Sequence, residues 1–214
     1  MPMIKVDANL FRLTYGAIST EETRYYLNGV HIEPHPTAGA IMVSTDGHRA
    51  IVTYDPDGAC DQHVIVKLPA AALSQCKPDK YDDAARLLII DPVAKTATLE
   101  CEGKAIQVSH SVLIDGNFPD WRRVVPKETK AAKAMPTTFA PRFLSDWAKL
   151  GVDINKTTGA PGSISFALSD AASAVVIRFG TPNIFGVLMP MKSNIDGFLP
   201  PFMGSAEPAQ VAAE

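Results

Sequence analysis

The sequence predicts an α+β protein made of three strand–helix–three-strand modules. Three observations predict it. Alternating apolar and polar residues recur in short runs between Gly, Pro, Asn and Asp turns, as half-buried strands require. Stretches with helical spacing each follow one such run and precede three more. That order occurs twice within residues 1–126 and once more within 136–192, an internal repeat.

Residues 3–6 alternate and form a short strand, and Asp7 caps a helix over 8–19. Leu10, Phe11, Leu13, Tyr15, Ala17 and Ile18 give that helix a broad apolar surface. Residues 24–32 are aromatic and β-prone. Residues 41–54 alternate on both sides of Asp46-Gly47, a dipeptide suited to a type I′ turn, so they read as a tight hairpin. Taken by spacing alone, Asp46-Gly47-His48-Arg49 is turn chemistry. Residues 63–67 make another strand, and 68–77 a short helix with Pro69 in its first turn. Three strands follow at 86–91, 96–101 and 104–112, separated by Asp-Pro and Glu-Gly turns.

The stretch 115–126 is a joint. Gly116 and Asn117 suit a turn and Pro119 pre-sets an extended path, whereas Phe118 and Trp121 are too apolar for an idle linker and are expected to pack. Residues 127–135 are a basic, Ala-rich linker. The third module starts with a strand at 137–140. A helix over 141–151 follows, with Pro141 first and Gly151 just past its end. Phe143, Trp147 and Leu150 share one apolar face. Strands at 163–168, 174–179 and 183–189 complete it. From Ser193 to Glu214, Gly, Pro, Ala and Ser dominate, the composition of a disordered tail, with one apolar island at Ile195, Phe198, Leu199, Phe202 and Met203. The expected division is a complete domain at 1–126, a linker, a half domain at 136–192 and a tail.

Of the 214 residues, 46% are hydrophobic and 20% charged, an ordinary globular composition. The net charge of −3 excludes a surface that grips nucleic acid everywhere, though not a local basic strip. Cys60, Cys76 and Cys101 lack metal-ligand spacing and are expected to stay reduced, in a cytoplasmic protein without signal peptide or membrane span. His31, His35, His63 and His110 are single histidines on or near strands, which read as packing or surface residues. There is no phosphate loop, paired-Cys motif or nucleophile elbow, so no catalytic residue, metal site or cofactor is expected.

Four motifs, in order, are Arg24-Tyr25-Tyr26-Leu27-Asn28-Gly29, Thr45-Asp46-Gly47-His48-Arg49, the run from Phe118 to Pro126, and Val187-Leu188-Met189-Pro190-Met191. Together they resemble the bacterial DNA polymerase III β subunit, the sliding clamp. The resemblance implies the DNA-clamp fold and matches residues 1–126 to the family's second domain and 136–192 to the last half of its third. It further implies a groove for the clamp-binding peptides of DNA polymerases, a clamp loader and repair proteins. That groove would comprise Leu27, Thr45, Gly47, His48, Arg49, Pro119, Arg123, Val124, Val187, Leu188 and Met189. The alternative is that these residues simply weld the two units together. The family also encircles duplex DNA without reading sequence. The matching basic strip would be Lys5, Arg12, Arg24, Lys67, Lys77, Arg142 and Lys149, with Tyr25 near the DNA-facing loop, unless these are only a solvated face. Three modules are a fraction of a family ring, so the resemblance implies a homo-oligomer, a tetramer if ring size is kept. A non-encircling clamp mimic that sequesters or recruits clamp-binding proteins is the second reading.

Overall fold

The computed structural model describes residues 3–78, 84–110, 112–125, 138–167 and 173–191. The first module runs β1 (Ile4–Asp7), α1 (Ala8–Thr14), β2 (Val30–Pro34), β3 (Ala40–Thr45) and β4 (Arg49–Asp55). The second runs β5 (Val64–Lys67), α2 (Ala70–Gln75), β6 (Arg86–Asp91), β7 (Thr96–Cys101) and β8 (Lys104–His110), followed by the short β9 (Val112–Leu113). The third is α3 (Pro141–Thr158), β10 (Ile164–Ala167), β11 (Val175–Phe179) and β12 (Ile184–Leu188), led, among the described residues, by an isolated bridge from Thr138 to Met191.

Each of the first two modules lends its leading strand to the other. β1 pairs with β6, giving the sheet β1-β6-β7-β8, while β5 pairs with β2. The second sheet then continues across the module boundary, because β12 pairs with β4 over residues 184–188. Its order is β10-β11-β12-β4-β3-β2-β5-β9, all antiparallel.

One core lies between the two sheets around α1 and α2. It is built from Ile4, Val6, Phe11, Val30, Ile32, Met42, Leu88, Ile90 and Leu99. The second core joins α1, β4 and the third module through Leu13, Ile51, Phe143, Trp147, Ile154, Ile177, Ile184 and Leu188. Strand alternation therefore gives β4 and β12 an inner face toward the helices and an outer face elsewhere. Ile41, Val43 and Val52 on the outer face are covered by Phe118 and Trp121, as their apolarity requires. Arg12 from α1 reaches Asp153 of α3 at 2.6 Å, and Arg49 from β4 reaches Asp146 at 2.6 Å.

Several local expectations change. Asp7 does cap α1, accepting the Leu10 N–H at 2.7 Å, but the α-helix ends at Thr14 and tightens into a 3₁₀ turn over Tyr15–Ala17. Residues 25–27 form a 3₁₀ turn rather than strand. At Asp46-Gly47 only Gly47 has positive φ (87°), so this is not a type I′ turn. The Asp46 carboxylate holds the loop by accepting the N–H groups of His48 and Arg49. The positive-φ pair that type I′ requires occurs instead at Glu102 (50°) and Gly103 (75°). Helix α3 runs through Gly151 and stops at Gly159, which is left-handed with φ 69°. Gly151 is buried, and a Cβ there would come within 2.9 Å of Ile164 on β10. The expected linker at 127–135, the tail from 193 and His110's side chain lie outside the described residues.

Candidate peptide groove and the helices beside it

The β12–β4 pairing brings two distant motifs side by side. Leu188 pairs with Arg49 and Val187 with Ala50, and the Met189 N–H donates to the His48 carbonyl at 3.1 Å. Alternation then splits the trio. Leu188 faces inward and is wholly buried with Phe143 and Trp147, while Val187 faces outward beneath Val125 and Phe185. Met189 leaves the sheet and is 41% exposed.

The 45–49 loop is held rigidly. Thr45 Oγ1 donates to the Arg49 carbonyl at 2.7 Å and accepts from Gly47 N–H at 3.0 Å. Arg49 is clamped between Asp46 (3.1 Å) and Asp146 (2.6 Å), with its guanidinium over the Phe143 ring at 5.2 Å. His48 is exposed and lies against the same ring, 5.9 Å between centroids. A cleft of about 340 Å³ opens here, lined by Ser19, Asp46, His48, Arg49, Arg142 and Phe143. Leu27 is buried in its 3₁₀ turn, and Arg24 approaches Gly47 so closely that a Cβ there would lie 2.6 Å from Nη1.

Pro119, Arg123 and Val124 lie on the segment that crosses the outer sheet face. That segment is seated by Phe118 stacked on His31 (4.8 Å, 6°), by Trp121 against Phe185 (6.3 Å) and by Val125 near Val187. Pro119 and Arg123 are exposed, and Val124 is 48% exposed. The named groove residues therefore divide into buried side chains (Leu27, Val187, Leu188), of which Val187 and Leu188 face opposite sides of the sheet, a polar loop (Thr45, Gly47, His48, Arg49) and exposed residues (Pro119, Arg123, Val124, Met189).

Most of the basic candidates are already engaged with carboxylates. Arg12 is largely buried against Asp153 and Asn9, Arg24 pairs with Glu21 at 2.8 Å, Lys77 lies 3.8 Å from Asp153, and Lys149 lies 3.7 Å from Asp146. Arg142 rests over Phe143 at 4.6 Å, while Lys5, Lys67 and Tyr25 are exposed. The structure adds Lys156, which the sequence reading passed over although it lies two turns beyond Lys149 on the same helix. With Lys77, which follows α2, and Lys149 it borders an open basin of about 520 Å³ along α3. No helix among the described residues is long and apolar enough to cross a membrane.

The outer face also gathers His31, Glu33 and His63, which sequence spacing kept apart. Glu33 accepts from His31 Nε2 at 3.1 Å and from Arg122 Nη2 at 2.5 Å. Burial opposes ionisation of Glu33, but those two hydrogen bonds outweigh it and bring its pKa down to about 2.

Comparison with known proteins follows the same outline. The family model for the DNA polymerase III beta subunit, central domain, matches residues 5–120, more than half of the chain. The beta sliding clamp of Caulobacter vibrioides is 36% identical over 140 residues, covering 58% of this chain and 35% of the relative. That of Proteus mirabilis is 30% identical over 157 residues, covering 70% and 41%. The matched regions thus span 35% and 41% of the length of these two curated relatives. Among solved structures, the Bacillus subtilis DNA polymerase sliding clamp superposes with TM-score 0.62 at 18% identity, covering 89% of this chain and 64% of that one. The Pseudomonas aeruginosa clamp bound to griselimycin gives TM-score 0.62 at 19% identity, covering 89% and 65%. At such identities these two show a shared fold.

Proposed function

Because the chain belongs to the DNA polymerase III β subunit family, the sliding clamps, we propose that it is a clamp-like processivity factor. It captures clamp-binding peptides of a DNA polymerase in the groove at the β12–β4 junction and associates with duplex DNA through its helices. It acts by tethering, without catalysis. The observation that carries this reading is the pairing of β12 with β4. It brings motifs separated by well over a hundred residues next to one another, with the fixed 45–49 loop beside Val187–Met189 and Val187 beneath the segment that carries the exposed Val124. A peptide groove needs apolar walls for an anchor side chain and a few oriented polar groups.

The competing weld reading makes a different prediction. Val124 and Met189 are half-exposed, so neither is needed to hold the modules together. Val124→Asp and Met189→Glu should each weaken binding of a fluorescent clamp-binding peptide carrying a Leu-Phe anchor by roughly tenfold or more while leaving the Tm unchanged. Unaltered affinity in both variants would contradict the groove.

DNA contact is the weaker half of the reading, since four of the candidate cations already face carboxylates. Its support is the lysine basin along α3, bordered by Lys77 just beyond α2. Encirclement requires copies of the chain to complete a ring. Among the described residues, β8 ends one sheet and β10 ends the other, so both could pair with neighbours. Ile106 and Val108 on β8 and Phe166 on β10 are exposed there. A tetramer restores the module number of a family ring, with third modules meeting across two-fold axes. The non-encircling mimic keeps the groove and dispenses with the ring. The engaged cations favour it, and retention on closed circular DNA, lost upon linearisation, would exclude it.

A further inference from the structure

The outer sheet face carries a group of side chains that neither the groove nor the helices use. His31 and Glu33 are alternate residues of β2, and so share a face. β5 runs antiparallel beside β2 with Ile32 opposite Val64, and the same register continued by one residue sets Glu33 opposite His63. Three ligand atoms converge as a result. Glu33 Oε2 lies 3.1 Å from His31 Nε2 and 3.8 Å from His63 Nδ1, and one ligand atom from each of the three residues lies within 4.8 Å of the other two.

We propose that His31, Glu33 and His63 bind a divalent d-block cation of the zinc class. The donor set, two imidazoles and one carboxylate, is one that zinc uses with an open fourth position. In a tetrahedral zinc site with bonds of about 2.0–2.2 Å, neighbouring ligand atoms stand roughly 3.3–3.6 Å apart. Two of the three atoms already lie near that spacing. The third residue, His63, is the exposed one, with its side chain 67% accessible, so it is free to close the remaining gap. The fourth position faces a cleft of about 500 Å³ beside Asn117, Phe118 and Trp121, open to water.

The surroundings fit a ligand set. Phe118 stacks on the His31 ring and fixes its plane. Arg122 holds Glu33 through Oε1, leaving Oε2 directed at the two histidines. Metal-binding carboxylates commonly carry such an outer hydrogen bond. Through Glu33 and Arg122 the ion ties β2 and β5 to the segment that carries Pro119, Arg123 and Val124. It therefore braces the groove wall without entering the groove.

The test is titration of the full chain, free of any histidine tag, with Zn²⁺ by calorimetry and with Co²⁺ by visible absorption. The expected result is one equivalent bound, with a tetrahedral Co²⁺ spectrum. His63→Ala should weaken binding by at least about tenfold and leave the circular dichroism unchanged, because His63 is exposed. Three free cysteines offer the obvious rival ligands. Binding that vanishes in the variant with Cys60, Cys76 and Cys101 changed to Ser, with its circular dichroism unchanged, overturns the proposal. So does binding that survives His63→Ala, or no binding at all. None of these outcomes depends on peptide or DNA affinity, so the clamp reading stands or falls separately.

Discussion

Gly186 of β12 sits opposite Ile51 of β4, on the face toward α3. An alanine there would place its Cβ 2.6 Å from Cη2 and 2.7 Å from Cζ3 of Trp147. The Trp147 ring is 2% exposed and enclosed by Phe143, Ile177 and Phe179, so it has nowhere to move. Two effects oppose each other. Replacing a strand glycine by alanine gains roughly 0.5–1 kcal/mol in backbone entropy, whereas overpacking a close-fitted core costs about 1–3 kcal/mol. Sterics should win, by roughly 0.5–2 kcal/mol. For a chain of this size that lowers Tm by roughly 1–8 °C. Thermal unfolding followed by circular dichroism reads it directly. Trp147→Phe removes both ring atoms that the new methyl meets, so in that background Gly186→Ala should be close to neutral. The cycle should therefore show about 1 kcal/mol of coupling. A raised Tm for Gly186→Ala, or an equal cost in both backgrounds, would refute the reasoning that the third module is welded through this contact.

Other expectations are simpler to state. Burial pushes the Cys76 thiol up to about 11, and its side chain is wholly enclosed. Iodoacetamide at neutral pH should therefore leave Cys76 unmodified in the folded protein and reach it only after unfolding, as mass spectrometry would show. Rapid native labelling at Cys76 would contradict this. If Lys77, Lys149 and Lys156 are the DNA contacts, the log–log salt dependence of duplex binding should be shallow, with a slope of about −3 or less in magnitude. Lys149→Glu with Lys156→Glu should abolish most of that binding while sparing peptide affinity. A slope several times steeper would mean that other cations carry the contact. Arg12→Ala removes the half-buried link from α1 to Asp153 and should cost about 1–3 kcal/mol in urea unfolding; a change within experimental error would show that the link adds nothing.

Much of the fold could be read locally. Asp7 announced its helix, Phe118 and Trp121 announced that the joint packs, and Phe143, Trp147 and Leu150 marked the buried face of α3. Periodicity tells which face of an element is apolar, but not which partner covers it. The exchange of β1 and β5 between modules, and the seam between β12 and β4, are long-range pairings that no local pattern encodes. The helix stop was misplaced for a related reason. Gly151 and Gly159 are the same residue type, and only the closeness of Ile164 reveals that the first is there for packing and the second for a left-handed turn. Within the candidate groove, the motifs were legible, but the inward turn of Leu188 and the outward turn of Val187 required the strand register. His31 and His63 looked like isolated histidines because some thirty residues separate them; the antiparallel β2–β5 register joins them.

Whether the proposed clamp closes into a ring is tested most directly by the molar mass of the chain in solution. Light scattering across a wide range of concentration should give a constant value four times the 23.0 kDa of one chain. A persistent mass of one chain, or an open dimer that dissociates on dilution, would contradict the ring and leave the groove as the functional surface of a clamp mimic.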